Sequence, residues 1–103
     1  MPPQFGIIAD DTTGSNDIGI MLRRGGCTVK VLRADAVEWG RSDTSAVVLD
    51  TDSRFDSPET AYRKVHAAAE RLRRAACGRF HKKTCSVLRG NIRSEFEAAL
   101  DAF

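Results

Sequence analysis

Short apolar blocks alternate along this chain with longer stretches of helical spacing, and several blocks run straight into acid or base. Phe5-Gly6-Ile7-Ile8-Ala9 is apolar on both alternating faces and stops at Asp10-Asp11, the pattern of a strand buried on both sides in a parallel sheet. Thr12 to Asp17 supplies hydroxyls, small residues and helix-capping types. A helix is predicted after it through Ile18, Met21 and Leu22, stopping at Gly25-Gly26. Thr28-Val29-Lys30-Val31-Leu32 reads as a second strand, followed by a polar connection from Ala34 to Thr44. Ser45-Ala46-Val47-Val48-Leu49 reads as a third, and it too ends in polar residues, Asp50-Thr51-Asp52-Ser53-Arg54.

Ser57-Pro58-Glu59 is a helix start: a capping serine, proline at the first position and an acid in the first turn. Ala61, Tyr62, Val65, Ala68, Ala69, Leu72 and Ala76 recur at helical spacing, with Arg63, Lys64, Arg71, Arg73 and Arg74 mostly off that stripe and Gly78 as the stop. Arg79 to Lys83 reads as a fourth strand. Asn91 caps a last helix whose apolar face is Ile92, Phe96, Ala99, Leu100 and Phe103. Strands alternating with helices give an α/β architecture: a three-layer, Rossmann-like sandwich around a mainly parallel sheet of about four strands. Ligands of such sheets bind outside the carboxyl ends of the strands. The polar clusters at 10–17, 50–54 and 82–91 therefore converge on one rim.

Composition narrows the reading. With 103 residues, 42% hydrophobic and 29% charged, the chain is ordinary globular protein, neither disordered nor collagen-like. Sixteen basic against 14 acidic residues leave a net charge of +2, too balanced to point to nucleic acid. Cys27, Cys77 and Cys85 have no framework or metal-clamp spacing, which fits reduced thiols in a cytoplasmic protein. No signal peptide is read at Met1-Pro2-Pro3-Gln4. No apolar run approaches the roughly 18 residues of a membrane span.

Each polar cluster has a chemical reading beside a plain one. Asp10-Asp11 after a buried strand either receives substrate hydroxyls, holds Mg²⁺ through water or acts as a general base, or else caps the next helix and meets solvent. Thr13-Gly14-Ser15-Asn16-Asp17 lacks the spacing of a dinucleotide fingerprint or P-loop, so it is a capped turn or a simple anion cradle. In 50–54, Arg54 either grips a carboxylate in bidentate fashion or pairs internally with aspartate. Lys82-Lys83 with Ser86 and Arg89-Gly90-Asn91 is the most specific group, either an anion site at a strand end or a solvated charge run. The basic face of the long helix is read as solvated, and His66 and His81 as structural, with no metal site. Cys85 has three cationic neighbours that would lower its pKa, but no base–orienter pair accompanies it.

These residues carry a resemblance. Ile7-Ile8-Ala9-Asp10-Asp11-Thr12-Thr13-Gly14-Ser15-Asn16-Asp17 is similar to the opening "IADDLTGAND" of the four-carbon acid sugar kinases. Val48-Leu49-Asp50-Thr51-Asp52-Ser53-Arg54 resembles their "VVDTDSR", and Lys82-Lys83-Thr84-Cys85-Ser86-Val87-Leu88-Arg89-Gly90-Asn91 resembles their "KKIDSTLRGN". Three motifs in order cover nearly all of this chain, but only the opening part of a two-domain protein.

The family phosphorylates threonate- and erythronate-type acids with ATP. The resemblance implies that residues 1–103 are a partial N-terminal sugar-acid-binding domain, incomplete relative to the family domain and lacking the nucleotide-binding C-terminal domain. It implies Asp10 and Asp11 as candidate catalytic groups. It implies Thr13, Asp17, Asp52, Ser53, Arg54, Lys82, Lys83, Ser86, Arg89, Gly90 and Asn91 as substrate-binding. ATP and Mg²⁺ are implied for the full-length phosphotransferase. This chain alone is expected to bind neither and to be inactive unless a separate nucleotide-binding chain joins it. The expected partners are a small sugar acid and either that chain or further copies in a homo-oligomer. The alternative is a non-catalytic sugar-acid-binding or protein-interaction fragment. Neither nucleic acid nor membrane is an expected partner. Cys85, Val87 and Thr12 stand where the family has Asp, Thr and Leu. The first two remove polar groups from the best-defined turn, and a partner left unpaired there costs about 1–3 kcal/mol.

Overall fold

Side-chain alternation in β1 (Phe5–Ala9) sets the layering. Ile7 and Ala9 pack in one buried cluster with Ala46 and Val48, while Ile8 belongs to another with Val47 and Leu49. The computed structural model describes residues 4–35, 45–84 and 90–103. Within them the elements run β1, α1 (Thr12–Arg24), β2 (Val29–Arg33), β3 (Ala46–Asp50), α2 (Pro58–Arg74), β4 (Arg79–Lys83) and α3 (Ile92–Ala102). The four strands form one sheet in the order β2-β3-β1-β4, every pair parallel. Ile18 and Leu22 of α1 pack on the first cluster. Val65, Ala68, Ala69 and Leu72 of α2, with Ala98, Ala99 and Ala102 of α3, fill the second. The result is the three-layer α/β sandwich with an all-parallel sheet. Each fully buried Ile, Leu or Val contributes about 1.5–3 kcal/mol.

Several boundaries differ from the sequence reading, each for a local reason. β2 and β3 begin one residue late because Thr28 and Ser45 bond each other reciprocally. The Thr28 amide donates to Ser45 Oγ at 3.0 Å and the Ser45 amide to Thr28 Oγ1 at 2.8 Å. α1 starts at Thr12 rather than after Asp17, because the Asp11 carboxylate accepts from the Gly14 amide at 2.8 Å and caps the helix. Thr13 to Asp17 is thus helix, not a preceding turn. α2 ends at Arg74, four residues ahead of Gly78, with Ala75 as its C-cap; Ala76, expected on the apolar stripe, is off the helix and exposed at φ +59°. α3 departs most: it buries Glu95, Ala98, Ala99 and Ala102, leaving Phe96, Leu100 and Phe103 between 40% and 74% exposed. Small alanines let α2 and α3 pack closely, and a buried partner draws Glu95 inward.

The topology fixes where a site falls. β1 leads through α1 to β2 on one side, and β3 leads through α2 to β4 on the other. The carboxyl ends of the adjacent β1 and β3 are therefore the point where the winding reverses and a crevice opens.

Candidate ligand site at the strand ends

The segment after β3 is laid across the end of β1. Thr51 and Ser53 donate their amides to the carbonyls of Ala9 and Asp10 at 2.9 and 3.0 Å, and Arg54 donates to the Asp10 carbonyl at 3.3 Å. Between them Asp52 takes a left-handed conformation, φ +47°, with its amide held by Asp50 Oδ1 at 2.9 Å and its carbonyl by Lys64 Nζ at 3.0 Å. An aspartate tolerates that region better than most residues. The turn carries Arg54 back over the sheet.

Arg54 there binds both aspartates of the β1 tip. Its Nη2 lies 3.1 Å from Asp10 Oδ1 and its Nε 3.4 Å from Oδ2, while Nη1 reaches Asp11 Oδ2 at 3.0 Å. Exposure rises across the group: the side chains of Asp10, Arg54 and Asp11 are 4%, 11% and 25% accessible. Among the described residues one guanidinium faces both carboxylates, and Asp11 is the member most open to solvent. Asp50 adds a third acid nearby, accepting from Thr12 Oγ1 at 2.8 Å. A cleft of about 370 Å³ opens beside it, lined by Thr12, Asn16, Val31, Leu32, Arg33, Asp50 and Asp52. Gly90 closes over the ion cluster at φ +95°, where a Cβ would lie 3.1 Å from Arg54 Cγ and 3.2 Å from Asp10 Oδ2. Only glycine suits both that conformation and that approach.

Beneath this cluster is a second one. Lys82 Nζ lies 2.9 Å from Glu95 Oε1, with side chains 4% and 2% exposed, and also donates to the Lys83 carbonyl at 3.0 Å. Ser53 Oγ donates to Glu95 Oε2 at 2.8 Å and lies 2.7 Å from Thr51 Oγ1. Asn91 occupies the N-cap of α3 without a side-chain cap bond. Its amide instead donates to the carbonyls of Ser53 at 3.0 Å and Asp56 at 2.7 Å.

Of the residues singled out in the sequence, Asp10, Asp11, Arg54 and Gly90 are in one cluster, with Asp52 on the adjoining cleft. Ser53, Asn91 and Lys82 sit below it, engaged with protein partners. Lys83 is half-buried, its ammonium donating to the Thr84 carbonyl at 2.6 Å. Thr13 and Asp17 are exposed on α1. Ser86 and Arg89, with Cys85 and Val87, lie outside the described residues. Sequence reasoning missed Glu95 and Thr12. Glu95 carried a signal: it falls on the helical stripe of Ala98, Ala99 and Ala102, and a charge on a buried stripe demands a partner. Among the described residues no group of three or more His, Cys, Asp or Glu side chains is placed to hold a metal ion.

A doubly wound α/β fold with an acidic and guanidinium cluster at its switch point is the architecture of a small-molecule-binding domain. The chain belongs to the family of sugar-binding N-terminal domains, whose model matches residues 5–103. It is 42% identical over 98 residues to a D-erythronate kinase of Heliobacterium modesticaldum, an alignment covering 92% of this chain and 22% of that protein. To a D-threonate kinase of Bordetella bronchiseptica it is 34% identical, covering 94% of this chain and 25% of the relative. To a 3-oxo-tetronate kinase of Pseudomonas fluorescens it is 37% identical, covering 97% and 25%. In structure it matches a Bordetella bronchiseptica domain of unknown function, a domain-swapped dimer with bound citrate, at TM-score 0.89 and 33% identity over 97% of this chain and 26% of that one. The chain thus spans about a quarter of the length of the relatives it matches. The resemblance to four-carbon acid sugar kinases, and the α/β class, are borne out. Among the described residues no helix is long and apolar enough to cross a membrane.

Proposed function

We propose that this chain is the substrate-binding portion of an ATP-dependent four-carbon acid sugar kinase of threonate or erythronate type. It forms one sugar-acid-binding unit. The reaction, phosphorylation of a sugar-acid hydroxyl, proceeds when a nucleotide-binding part is joined to it, in the same polypeptide or in a partner chain. The observation that carries this reading is the Arg54 guanidinium shared between Asp10 and Asp11 at the switch point of the sheet. Asp11 and Asp52 take substrate hydroxyls, with Thr13 and Asp17 on the α1 side of the same rim. Lys83, with Arg89 and Ser86, holds the substrate carboxylate. Asp10, Ser53, Lys82, Gly90 and Asn91 keep the rim in shape. Asp11, the more exposed of the two candidate bases, receives the proton as the substrate oxygen attacks phosphorus. The citrate in the Bordetella bronchiseptica neighbour, a small hydroxy acid, is of the same chemical class.

The described residues do not fit ATP or Mg²⁺. The amino end of α1 is filled by the chain's own Asp11 carboxylate where a phosphate would sit, and among the described residues no three His, Cys, Asp or Glu side chains are placed to hold a metal ion. ATP and Mg²⁺ belong to the rest of the kinase, and the chain alone is inactive. We place the protein in the cytoplasm, where Cys27 and Cys77 stay free thiols.

Calorimetric titration and thermal shift with D-threonate, D-erythronate and ATP test the reading. Either acid should raise the melting temperature and ATP should not. An acid at about 100 times its Kd adds about 2.7 kcal/mol of stability. No response to any four-carbon acid would refute it. A second reading, an interaction fragment, draws on the exposed Phe96, Leu100 and Phe103 and on the domain-swapped dimer of the neighbour. Self-association without acid binding would select it.

A further inference from the structure

Glu95 is the least exposed charged side chain among the described residues, and it stands on the alanine face of α3. One carboxylate oxygen accepts from the Ser53 hydroxyl, and the other pairs with the Lys82 ammonium by charge at 2.9 Å without the geometry of a hydrogen bond. Through them a single group ties three elements together. Lys82 is the fourth residue of β4, opposite Ile8 in register, and so points into the α2/α3 layer. Ser53 sits in the turn after β3, bonded to Thr51, which itself donates to the Ala9 carbonyl at 3.1 Å. The Glu95 amide donates to the Asn91 carbonyl at 2.9 Å, and the Asn91 side chain returns to the 53–56 turn.

The placement of this knot is informative. Arg54 directly follows Ser53, whose hydroxyl the Glu95 carboxylate binds, and Gly90 directly precedes Asn91, whose side chain bonds the Ser53 carbonyl, so both parts that enclose Asp10 hang one residue from a group tied to the Ser53 turn. A buried ion pair is weak evidence for net stability, since neutral side chains of the same volume pack about as well. Fixing relative position is a better reason for a charge at this depth.

We infer that Glu95 is a positioning residue for the sugar-acid site: through Lys82 and Ser53 it sets where Arg54 and Gly90 stand around Asp10. Lys82 then serves this carboxylate and does not touch the ligand. The inference rests on the sugar-acid reading for its effect on affinity, but its effect on the chain's own geometry can be measured without a ligand.

Three variants test it. Glu95→Gln keeps the shape and an acceptor for Ser53 but leaves Lys82 without its counter-charge. The double variant Lys82→Met with Glu95→Gln removes both charges. Ser53→Ala removes only the hydroxyl bond, and serves if Glu95→Gln fails to fold. Segment-resolved hydrogen exchange should speed up about tenfold or more at 51–56 and 90–95 in Glu95→Gln, with β1 and α1 unchanged, and Ser53→Ala should do the same at 51–56. D-threonate or D-erythronate affinity should fall about tenfold in the single variants. The double variant should regain the melting temperature of the parent but not its affinity. Exchange and affinity that stay at parental values, or that merely follow the melting temperature in all three, would overturn the inference. If the parent binds no four-carbon acid, the functional reading fails instead, and the exchange pattern alone decides whether Glu95 positions these segments.

Discussion

Two ionic clusters hang from the ends of the same sheet on opposite plans. In the upper one, Arg54 faces both Asp10 and Asp11, and exposure climbs from 4% at Asp10 to 25% at Asp11. In the lower one, Lys82 faces Glu95 one to one, and Ser53 and Asn91 close it from the side. The upper cluster opens to solvent at Asp11, as a site awaiting a polar ligand must. The lower cluster is balanced and sealed, as a joint must be. Charge type alone does not separate the two roles; access does.

The largest expected effect breaks the upper cluster. Arg54→Met leaves two nearly adjacent carboxylates without their counter-ion. It should cost about 3–5 kcal/mol in urea unfolding and abolish acid binding. Adding Asp10→Asn should return much of the stability and none of the binding. If the double variant binds as the parent does, the cluster is only structural. Next comes Gly90→Ala. Forcing a side chain to φ +95° against Arg54 and Asp10 should cost about 1–2 kcal/mol and weaken acid binding beyond what the stability loss explains. Unchanged binding would separate Gly90 from the site.

The smallest effect is a control remote from both clusters. α1 and α2 end alike. The Cys27 amide bonds the Leu22 carbonyl at 3.1 Å and the Cys77 amide bonds the Leu72 carbonyl at 3.3 Å, each after a residue of positive φ. In α1 that residue is Gly26, at φ +97°, and in α2 it is Ala76, at φ +59°. Ala76→Gly should therefore stabilise the chain by about 0.5–1 kcal/mol in thermal unfolding and leave acid affinity untouched. A destabilised variant would show that Ala76 contributes packing worth more than the strain.

How far the sequence could be read depended on whether local pattern or tertiary partner decided each feature. β1 and β4 were legible to the residue, β1 because Phe5 to Ala9 is apolar on both faces, and β4, weaker by composition, because it follows the Gly78 stop of α2. The buried stripe of α2 was legible from its spacing from Ala61 to Leu72, though not at Ala76, which is exposed beyond the helix. The starts of β2 and β3 were not, since Thr28 and Ser45 find each other only when the strands are neighbours. The start of α1 was hidden because a run of hydroxyls looks like a loop until Asp11 caps it.

In the site, Asp10, Asp11, Arg54 and Gly90 could be read from their motifs. Choosing between Lys82 and Lys83 could not. In register Lys82 stands beside Ile8 and Lys83 beside Ala9, so they serve opposite faces of the sheet, and only the layering shows which face holds Glu95. The apolar face assigned to α3 failed for the same reason: large residues were counted as core where small ones and one paired charge were needed.

The most direct test of the central claim is a titration of the isotope-labelled chain with D-threonate or D-erythronate, followed by amide chemical shifts. Saturable shifts gathered at residues 10–14, 50–54 and 83–91, absent in Arg54→Met/Asp10→Asn, are the expected result. Shifts confined to α3 and the outer face of α2, or none at millimolar acid, would contradict a sugar-acid site at the switch point of this sheet.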